Sequence, residues 1–306
     1  HYISANGCKV VFGEGLTCVP AGSHYFNLVA GARSKTITGD TDLTVQSGTW
    51  RNVYAAGYSG GLNGDAHLTM TGGTVTATVQ ASYSGLTTGS VTMDLSGVSI
   101  GSNVYGANTK SNDVQGDVTI TLGSGVSVDS VYGGSRDAGS VGGTATLILD
   151  GADFSGSLIG GCENSKGTVG ASAIVLKSGS LTGALDAQRV VLDTLSGGTL
   201  RLAGDLTVDE VIGGGTAEWP AASVLTVSGA VSGTTKVRLT GTLTDGDHYI
   251  VTPESADKSA FSYLGEMVFA VKTVDGLYHW FLQDAPSPAP DPTPTPTPSP
   301  APAPAP

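Results

Sequence analysis

The chain has 306 residues, a formal net charge of −12 at pH 7 and a sequence pI near 4.6. Only 13% of the residues are charged, whereas 46 are glycine, a share well above that of an ordinary globular protein. The acidic balance argues against nucleic acid and anionic membranes as partners. No apolar run reaches transmembrane length, so we expect no direct membrane insertion of this segment. Glycine-rich, helix-poor composition favours many short strands joined by tight turns.

Residues 1–30 are predicted to form an N-terminal β cap with a hairpin. Cys8 and Cys18 flank KVVFGEGLT, which indicates a strand, a Gly-Glu-Gly turn and a second strand. This spacing allows a disulfide between the two cysteines, and two packed thiols are the alternative. Cys162 lies in a polar loop and is expected to remain a free thiol.

Residues 31–188 form a regular repeat. Six glycines recur at spacings of 25 to 27 residues, and the fourth residue after each glycine is large and apolar. Apolar residues then alternate with polar ones, which is typical of a strand with one buried face, and the fixed period predicts stacked copies of that strand. We therefore predict an all-β fold, a right-handed parallel β-helix of about eight coils. The apolar residues at the fourth position are Leu43, Leu68, Met93, Ile120, Leu147 and Ile174.

The C-terminal third departs from this period. Residues 189–245 retain strand and turn patterns and are predicted to form irregular β-helix coils. Residues 246–283 include MVFAVKTVDGLYHWFL, a predicted hairpin with Asp275 and Gly276 in a type I′ turn, which would cover the open end of the solenoid as a C-terminal β cap. Residues 284–306 alternate proline with small residues, a composition typical of a disordered, Pro-rich linker.

Acidic residues follow several of the repeat glycines. Each of these coils has one such acid, namely Asp40, Asp65 or Asp117, and no second ligand lies beside it. A single carboxylate in a coil predicts a capping side chain rather than a calcium site. The sequence contains no Ser-His-Asp signature, no CxxC pair and no nucleotide-binding loop. We therefore predict no catalytic residues, no metal and no cofactor.

A Val-Tyr corner recurs in three coils and is followed by variable polar loops. With the valines pointing inward, alternation is expected to turn the tyrosines outward beside these loops. Tyrosine next to short polar loops on a rigid scaffold is common in recognition surfaces, whereas tyrosines packed flat on the sheet beside a solvated loop edge are the alternative. The candidate ligand-binding residues are Tyr54, Tyr105, Tyr132, Asn108, Lys110, Asp113, Arg136, Asp137, Glu163 and Lys166.

Residues 39–188 repeat the pattern GDxxLTxxSGT…VYGG, and an irregular β cap and a Pro-Thr/Ser-Ala tail follow them. This combination resembles Gly-rich parallel β-helix surface proteins of bacteria. These include cell-wall adhesin-like proteins and, more distantly, autotransporter passenger domains. The resemblance implies extracellular display on the cell wall or outer envelope, and it carries over no catalytic residues. We expect a monomeric, non-catalytic adhesin that binds a host or matrix glycoprotein or glycan.

Two other functions fit the same sequence. The first is a passive stalk or surface-layer segment whose loops bind nothing. The second is a carbohydrate-active β-helix enzyme with a site built from the loop acids Asp113, Asp137 and Glu163, since glycoside cleavage needs paired carboxylates.

Overall fold

The computed structural model describes residues 1–17, 25–244 and 247–285. These residues form 32 strands and no helix, and parallel strands stack in about ten turns. The fold is therefore a β-solenoid of the β-helix type, as predicted. Cys18 and residues 286–306, which make up most of the predicted linker, lie outside the described residues.

The first part of the solenoid contains 20 strands, most of them two to five residues long. In chain order they are β1 (Tyr2–Ser4), β2 (Val10–Phe12), β3 (Asn27–Val29), β4 (Ile37–Thr38), β5 (Thr41–Val45), β6 (Thr49–Trp50), β7 (Val53–Tyr54), β8 (Leu62–Asn63), β9 (Ala66–Met70), β10 (Thr74–Val75), β11 (Val79–Gln80), β12 (Val91–Leu95), β13 (Ser99–Ile100), β14 (Val104–Tyr105), β15 (Val118–Leu122), β16 (Ser130–Tyr132), β17 (Val141–Phe154), β18 (Ser157–Ile159), β19 (Val169–Leu181) and β20 (Leu185–Asp186).

Two long sheets run along the stack of coils. The larger sheet contains β2, β5, β9, β12, β15, β17 and β19, and the second contains β1, β3, β7, β11, β14, β16, β18 and β20. β1 pairs in parallel with β3, and β2 pairs in parallel with β5, so both N-terminal strands extend these sheets. The second sheet carries the Val-Tyr corners, and the candidate site therefore lies along its edge.

The strand register confirms the predicted repeat. The apolar residues at the fourth position pair with one another from coil to coil and are all buried, so they form one continuous column in the core. Burial of such an apolar column is the main source of stability in a solenoid. Each coil contributes to it through contacts with its two neighbours.

The acids that follow the repeat glycines have the predicted capping role. Asp40, Asp65 and Asp117 each accept a hydrogen bond at 2.7–2.8 Å from a backbone N–H 25 or 27 residues later in the chain. These bonds tie each coil to the next. The repeat glycines leave room for them, because a Cβ on Gly89 would lie 2.2 Å from Oδ1 of Asp65.

The coils after residue 188 are shorter, which explains why the solenoid has more turns than the eight predicted. Gly179 pairs with Leu200 and Leu200 with Ala217, so that these coils take 21 and 17 residues. The strands here are β21 (Arg189–Asp193), β22 (Thr199–Leu202), β23 (Leu206–Val208), β24 (Glu210–Ile212), β25 (Thr216–Pro220), β26 (Leu225–Val227), β27 (Val231–Ser232) and β28 (Thr235–Thr240).

The predicted C-terminal hairpin is present. Its residues Asp275 and Gly276 have φ angles of 51° and 77°, as a type I′ turn requires. The indole of Trp280 in this hairpin is buried, and its Nε1–H donates a hydrogen bond to Oγ1 of Thr252 at 3.1 Å. The last strands are β29 (His248–Pro253), β30 (Phe261–Tyr263), β31 (Met267–Val274) and β32 (Leu277–Asp284).

β29 joins the hairpin to the coils. It pairs in parallel with β26 and antiparallel with β32, so the parallel order of this sheet ends at β29, whereas β30 still pairs in parallel with β28 in the larger sheet. The antiparallel hairpin then occupies the position that a further coil would take, as expected for a cap.

Candidate functional site

The corner tyrosines are less exposed than predicted. Tyr54 and Tyr105 are only 3% and 2% exposed, and Tyr132 is half-buried. Alternation was expected to turn all three outward beside the loops, but the first two are buried because neighbouring rings cover them. Tyr105 stacks on Tyr132 with ring centroids 5.3 Å apart, and Tyr54 packs edge-on against Tyr58 at the same distance.

Three tyrosines that were not predicted as site residues lie beside Tyr54, and together with the corner tyrosines they form what we call the tyrosine surface. Tyr58 and Tyr83 occupy equivalent loops and stack in parallel with ring centroids 4.7 Å apart, and Tyr2 packs edge-on against Tyr58 at 4.8 Å. All three rings are half-buried. The signal in the sequence is the repeated Tyr-Ser-Gly at residues 58–60 and 83–85.

Burial raises the pKa of two tyrosines in this surface, Tyr58 and Tyr54. It is the main cause that raises the pKa of Tyr58 to about 12, with a further contribution from the hydrogen bond between the Tyr58 and Tyr2 hydroxyls. Burial likewise raises the pKa of Tyr54. The hydroxyl groups of Tyr54 and Tyr58 therefore stay protonated at neutral pH and can donate hydrogen bonds.

Cationic side chains surround the tyrosines. The guanidinium of Arg33 lies 4.6 Å from the centre of the Tyr2 ring, and Nζ of Lys110 lies 5.3 Å from the centre of the Tyr83 ring. Both distances fall within the range of a cation–π contact. The interaction with the Tyr83 hydroxyl also raises the pKa of Lys110, which keeps that amine charged.

A groove of about 390 Å³ lies beside these rings, and we call it the tyrosine–arginine groove. Its volume falls within the usual range for small-molecule sites. No Asp or Glu is among the described residues that line it. Its walls include Tyr2, Tyr58, Tyr83, Arg51 and Arg136, and its floor includes Asn52, Thr78 and Gln80.

The floor of the groove is held by hydrogen bonds between coils. Oδ1 of Asn52 accepts a bond from Oγ1–H of Thr78 at 2.9 Å, and its Nδ2–H donates to Oδ1 of Asn27 at 2.8 Å. Gln80 is buried and accepts a hydrogen bond from the hydroxyl of Thr109. The groove is therefore built on a rigid polar base, and its geometry is set before any ligand arrives.

A larger depression, of about 570 Å³, lies where the second long sheet ends. Its lining includes Leu185, Leu202, Asp186 and Asp205, with small residues between them, and none of its described residues is aromatic or basic. The tyrosine–arginine groove therefore offers more groups for recognition, although it is smaller.

Asn108 has a structural role. Its side chain is completely buried, its Oδ1 accepts a hydrogen bond from the Ser82 hydroxyl at 2.8 Å, and its Nδ2–H groups donate to the carbonyls of Gly85 and Asn112. The amide thus ties adjacent loops together and is not available to a ligand, contrary to its place among the predicted contacts.

Of the other predicted residues, Lys110 and Arg136 lie at the tyrosine surface, and both are exposed. Lys166 is exposed as well, and its backbone N–H donates a hydrogen bond to Oδ1 of Asn164 at 3.1 Å. The structure thus brings two of the predicted cations to the tyrosines.

The three loop acids each bind a different neighbour. Oδ1 of Asp113 accepts a hydrogen bond from the N–H of Ser140 at 2.9 Å, and Oδ1 of Asp137 lies 3.4 Å from the amide nitrogen of Asn164. In the third case, the Tyr105 hydroxyl donates to Oε2 of Glu163 at 2.8 Å.

The hydrogen-bond partner of Glu163, Tyr105, has a raised pKa. Burial is the main cause that raises the pKa of Tyr105 to about 12, and the hydrogen bond to the Glu163 carboxylate adds to it. The same bond holds the Glu163 side chain against the tyrosine surface.

Two of the three cysteines, Cys8 and Cys162, lie in the described part of the chain. Cys8 is exposed, and because its predicted partner Cys18 lies outside the described residues, the disulfide stays a prediction. Cys162 is half-buried and carries a free thiol. In the part of the chain that the structure describes, no three His, Cys, Asp or Glu side chains are grouped so that they could hold a metal ion.

The fold and the groove define the chain as a β-solenoid with a polar, aromatic recess on one edge. No protein-family model matches it, and neither a curated protein nor a solved structure shows significant similarity to it. The described residues contain no helix that is long and apolar enough to cross a membrane.

Proposed function

We propose that this chain is a non-catalytic binding module displayed on the bacterial cell surface, an adhesin that recognises a glycan or a glycoprotein. The observation that carries the proposal is the tyrosine–arginine groove, in which half-buried tyrosines and exposed arginines surround a polar floor. Sites for small polar ligands commonly combine aromatic walls with a few fixed polar groups.

The groups in the groove suit a sugar. Tyrosine rings offer apolar surface to the C–H groups of a sugar ring, and their hydroxyls can exchange hydrogen bonds with sugar hydroxyls. The floor adds hydroxyl and amide groups from Thr78 and Asn52. Since tyrosine has few rotatable bonds, little side-chain entropy is lost when it binds.

Non-catalytic binding accounts for the loop acids better than glycoside cleavage does. Hydrolysis of a glycosidic bond needs two carboxyl groups that face the same bond. Asp113, Asp137 and Glu163 instead accept hydrogen bonds from three separate partners, and none of them lines the groove. These contacts support a role in holding the loops.

The Pro-rich composition of residues 284–306 supports surface display, because such sequences space a domain from its attachment point. A passive stalk would use the same spacer. It would not require unpaired cations beside a row of tyrosines, and for that reason we favour binding.

The test is a screen of defined glycans and purified mucin-type glycoproteins, carried out with the full chain and with a Tyr58→Ala, Tyr83→Ala double variant. We expect at least one ligand that binds the full chain and whose affinity falls at least tenfold in the double variant. The matched control is Tyr278→Ala, since Tyr278 lies in the cap with Nζ of Lys258 5.1 Å from its ring centre.

Circular dichroism must show that each variant keeps its β structure. A screen without any ligand would favour the passive stalk. A ligand that binds the double variant as well as the full chain would place recognition outside the tyrosine–arginine groove. Release of a cleaved product that disappears in an Asp113→Ala, Asp137→Ala, Glu163→Ala variant would favour the enzyme.

A further inference from the structure

The charge of the tyrosine–arginine groove is opposite to that of the chain. The whole chain carries 26 acidic and 14 basic residues, but the lining of the groove includes two arginines and no acid among its described residues. Lys110 and Arg33 add positive charge at the adjoining rings. The excess of cations around the groove is therefore a local feature, since the chain as a whole has more acidic than basic residues.

None of these cations forms an ion pair with a carboxylate in the described part of the protein. Its two ion pairs join Lys9 to Asp42 and Arg189 to Glu210, and neither pair involves the groove. Asp137 influences Lys110 only from a distance, as a minor contribution to the pKa of that amine. Glu163 and Arg136 both influence the pKa of Tyr105, but they form no ion pair with each other, so the guanidinium groups of Arg51 and Arg136 remain available to an external anion.

From this arrangement we propose that the groove takes an anionic sugar, one that bears a carboxylate or a sulfate group. The inference rests on the proposed function and specifies the chemical class of its ligand. Arginine presents a planar fork of N–H donors that matches two oxygens of a carboxylate or sulfate group. A neutral sugar would leave both arginines without a counter-charge.

The spacing of the arginines argues for a ligand larger than a simple inorganic anion. Arg51 precedes β7 and Arg136 follows β16, strands that lie three positions apart in the second long sheet. Their backbones are therefore about 14 Å apart along the solenoid axis at the usual strand spacing. Since both side chains line one groove of about 390 Å³, an oligosaccharide lying along the axis would contact both.

The experiment compares matched sugars by isothermal titration calorimetry. One pair is a uronic acid oligosaccharide and its carboxyl-reduced form, and the other is a sulfated oligosaccharide and its desulfated form. We expect at least one acidic member to bind at least tenfold more tightly than its neutral counterpart. This preference should decrease from 50 to 500 mM NaCl, because salt screens exposed charges.

The matched variants are an Arg51→Gln, Arg136→Gln double variant and the control Arg238→Gln, which changes an exposed arginine in β28 far along the chain. We expect the double variant to lose at least tenfold in affinity for the acidic sugar, and the control to stay within twofold of the full chain. If the chain prefers the acidic sugar only in the uronic acid pair, the ligand group is a carboxylate. If it prefers the acidic sugar only in the sulfated pair, the ligand group is a sulfate.

Failure of this inference can be distinguished from failure of the proposed function. Equal affinity for acidic and neutral members, with no effect of the arginine changes, would overturn the anionic ligand. The proposed function would still stand if the Tyr58→Ala, Tyr83→Ala variant lost that binding. Absence of binding to all four sugars would overturn the anionic ligand, and absence of binding throughout the glycan screen would also overturn the proposed function.

Discussion

The protein has two aromatic regions that differ in what surrounds the rings. In the C-terminal cap, Trp280 packs edge-on against Phe261 and Phe269 and is completely buried. At the edge of the regular coils, Tyr58 and Tyr83 stack on each other but remain half-exposed beside cations. The cap therefore uses aromatic area to close the core, whereas the coil edge keeps part of that area available.

The surroundings of the rings thus separate stability from recognition in this solenoid. Core closure excludes water from large rings and contributes free energy of folding in proportion to the area buried. Rings that are covered by each other and by exposed cations contribute less to folding, and they can exchange those contacts for a ligand. We therefore expect changes in the cap to affect stability and changes at the groove to affect binding.

The largest expected effect is on the cap. Trp280→Ala should lower the free energy of unfolding by about 3–5 kcal/mol, because it leaves a large cavity at the closed end of the core. Chemical denaturation followed by circular dichroism measures this change. Leu277→Ala in the same hairpin is the control, since Leu277 is 39% exposed, and a comparable loss in the control would contradict our view of the cap.

A second test concerns the contact between coils. Gly89→Ala should destabilise the chain by about 1–3 kcal/mol, because the new methyl group would overlap a carboxylate oxygen of Asp65 and force the coils apart. Gly161→Ala is the matched control, since a Cβ there meets no atom within 4 Å. If thermal melts showed the same shift for both variants, tight stacking at Gly89 would not be supported.

The capping acids should have a smaller effect. Asp65→Ala removes the acceptor for the N–H of Ser90 and should cost about 1 kcal/mol, the usual net value of one hydrogen bond. Asp94→Ala serves as the control, because Asp94 is exposed on a strand of the same stack. Equal stability of the two variants in urea would argue against the capping role.

The smallest effect is a change with pH. Since burial raises the pKa of Tyr105 from 10.0 to about 12, its contribution to stability is fully present below pH 10 and is lost as the pH rises towards 12. A Tyr105→Phe variant should therefore lose stability less steeply than the full chain between pH 10 and 12. Parallel slopes in denaturation experiments across that range would contradict the raised pKa.

Features that depend on local sequence patterns could be predicted from the sequence. The column from Leu43 to Ile174 and the hairpin around Asp275 and Gly276 were predicted correctly, because both depend on local alternation and turn chemistry. The count of turns was too low. The shorter coils near Leu200 lack the glycine period that marks the earlier ones.

The groove was harder to predict because its residues are far apart in sequence. Tyr2, Arg51, Tyr83 and Arg136 meet only through the stacking of successive coils and the path of the loops between them. The burial of Tyr54 has the same origin, since its cover is a ring from the loop that follows it. Alternation along a strand predicts which side a residue faces, but it does not reveal what covers that side.

Hydrogen–deuterium exchange of the full chain, with and without a saturating glycan from the screen, tests the central claim that the tyrosine–arginine groove is the binding surface. We predict that the ligand slows exchange in peptides that contain residues 51–58, 78–84 and 136, and that it leaves the cap at residues 267–284 unchanged. Slower exchange in the cap, with no change in the three groove peptides, would contradict the account.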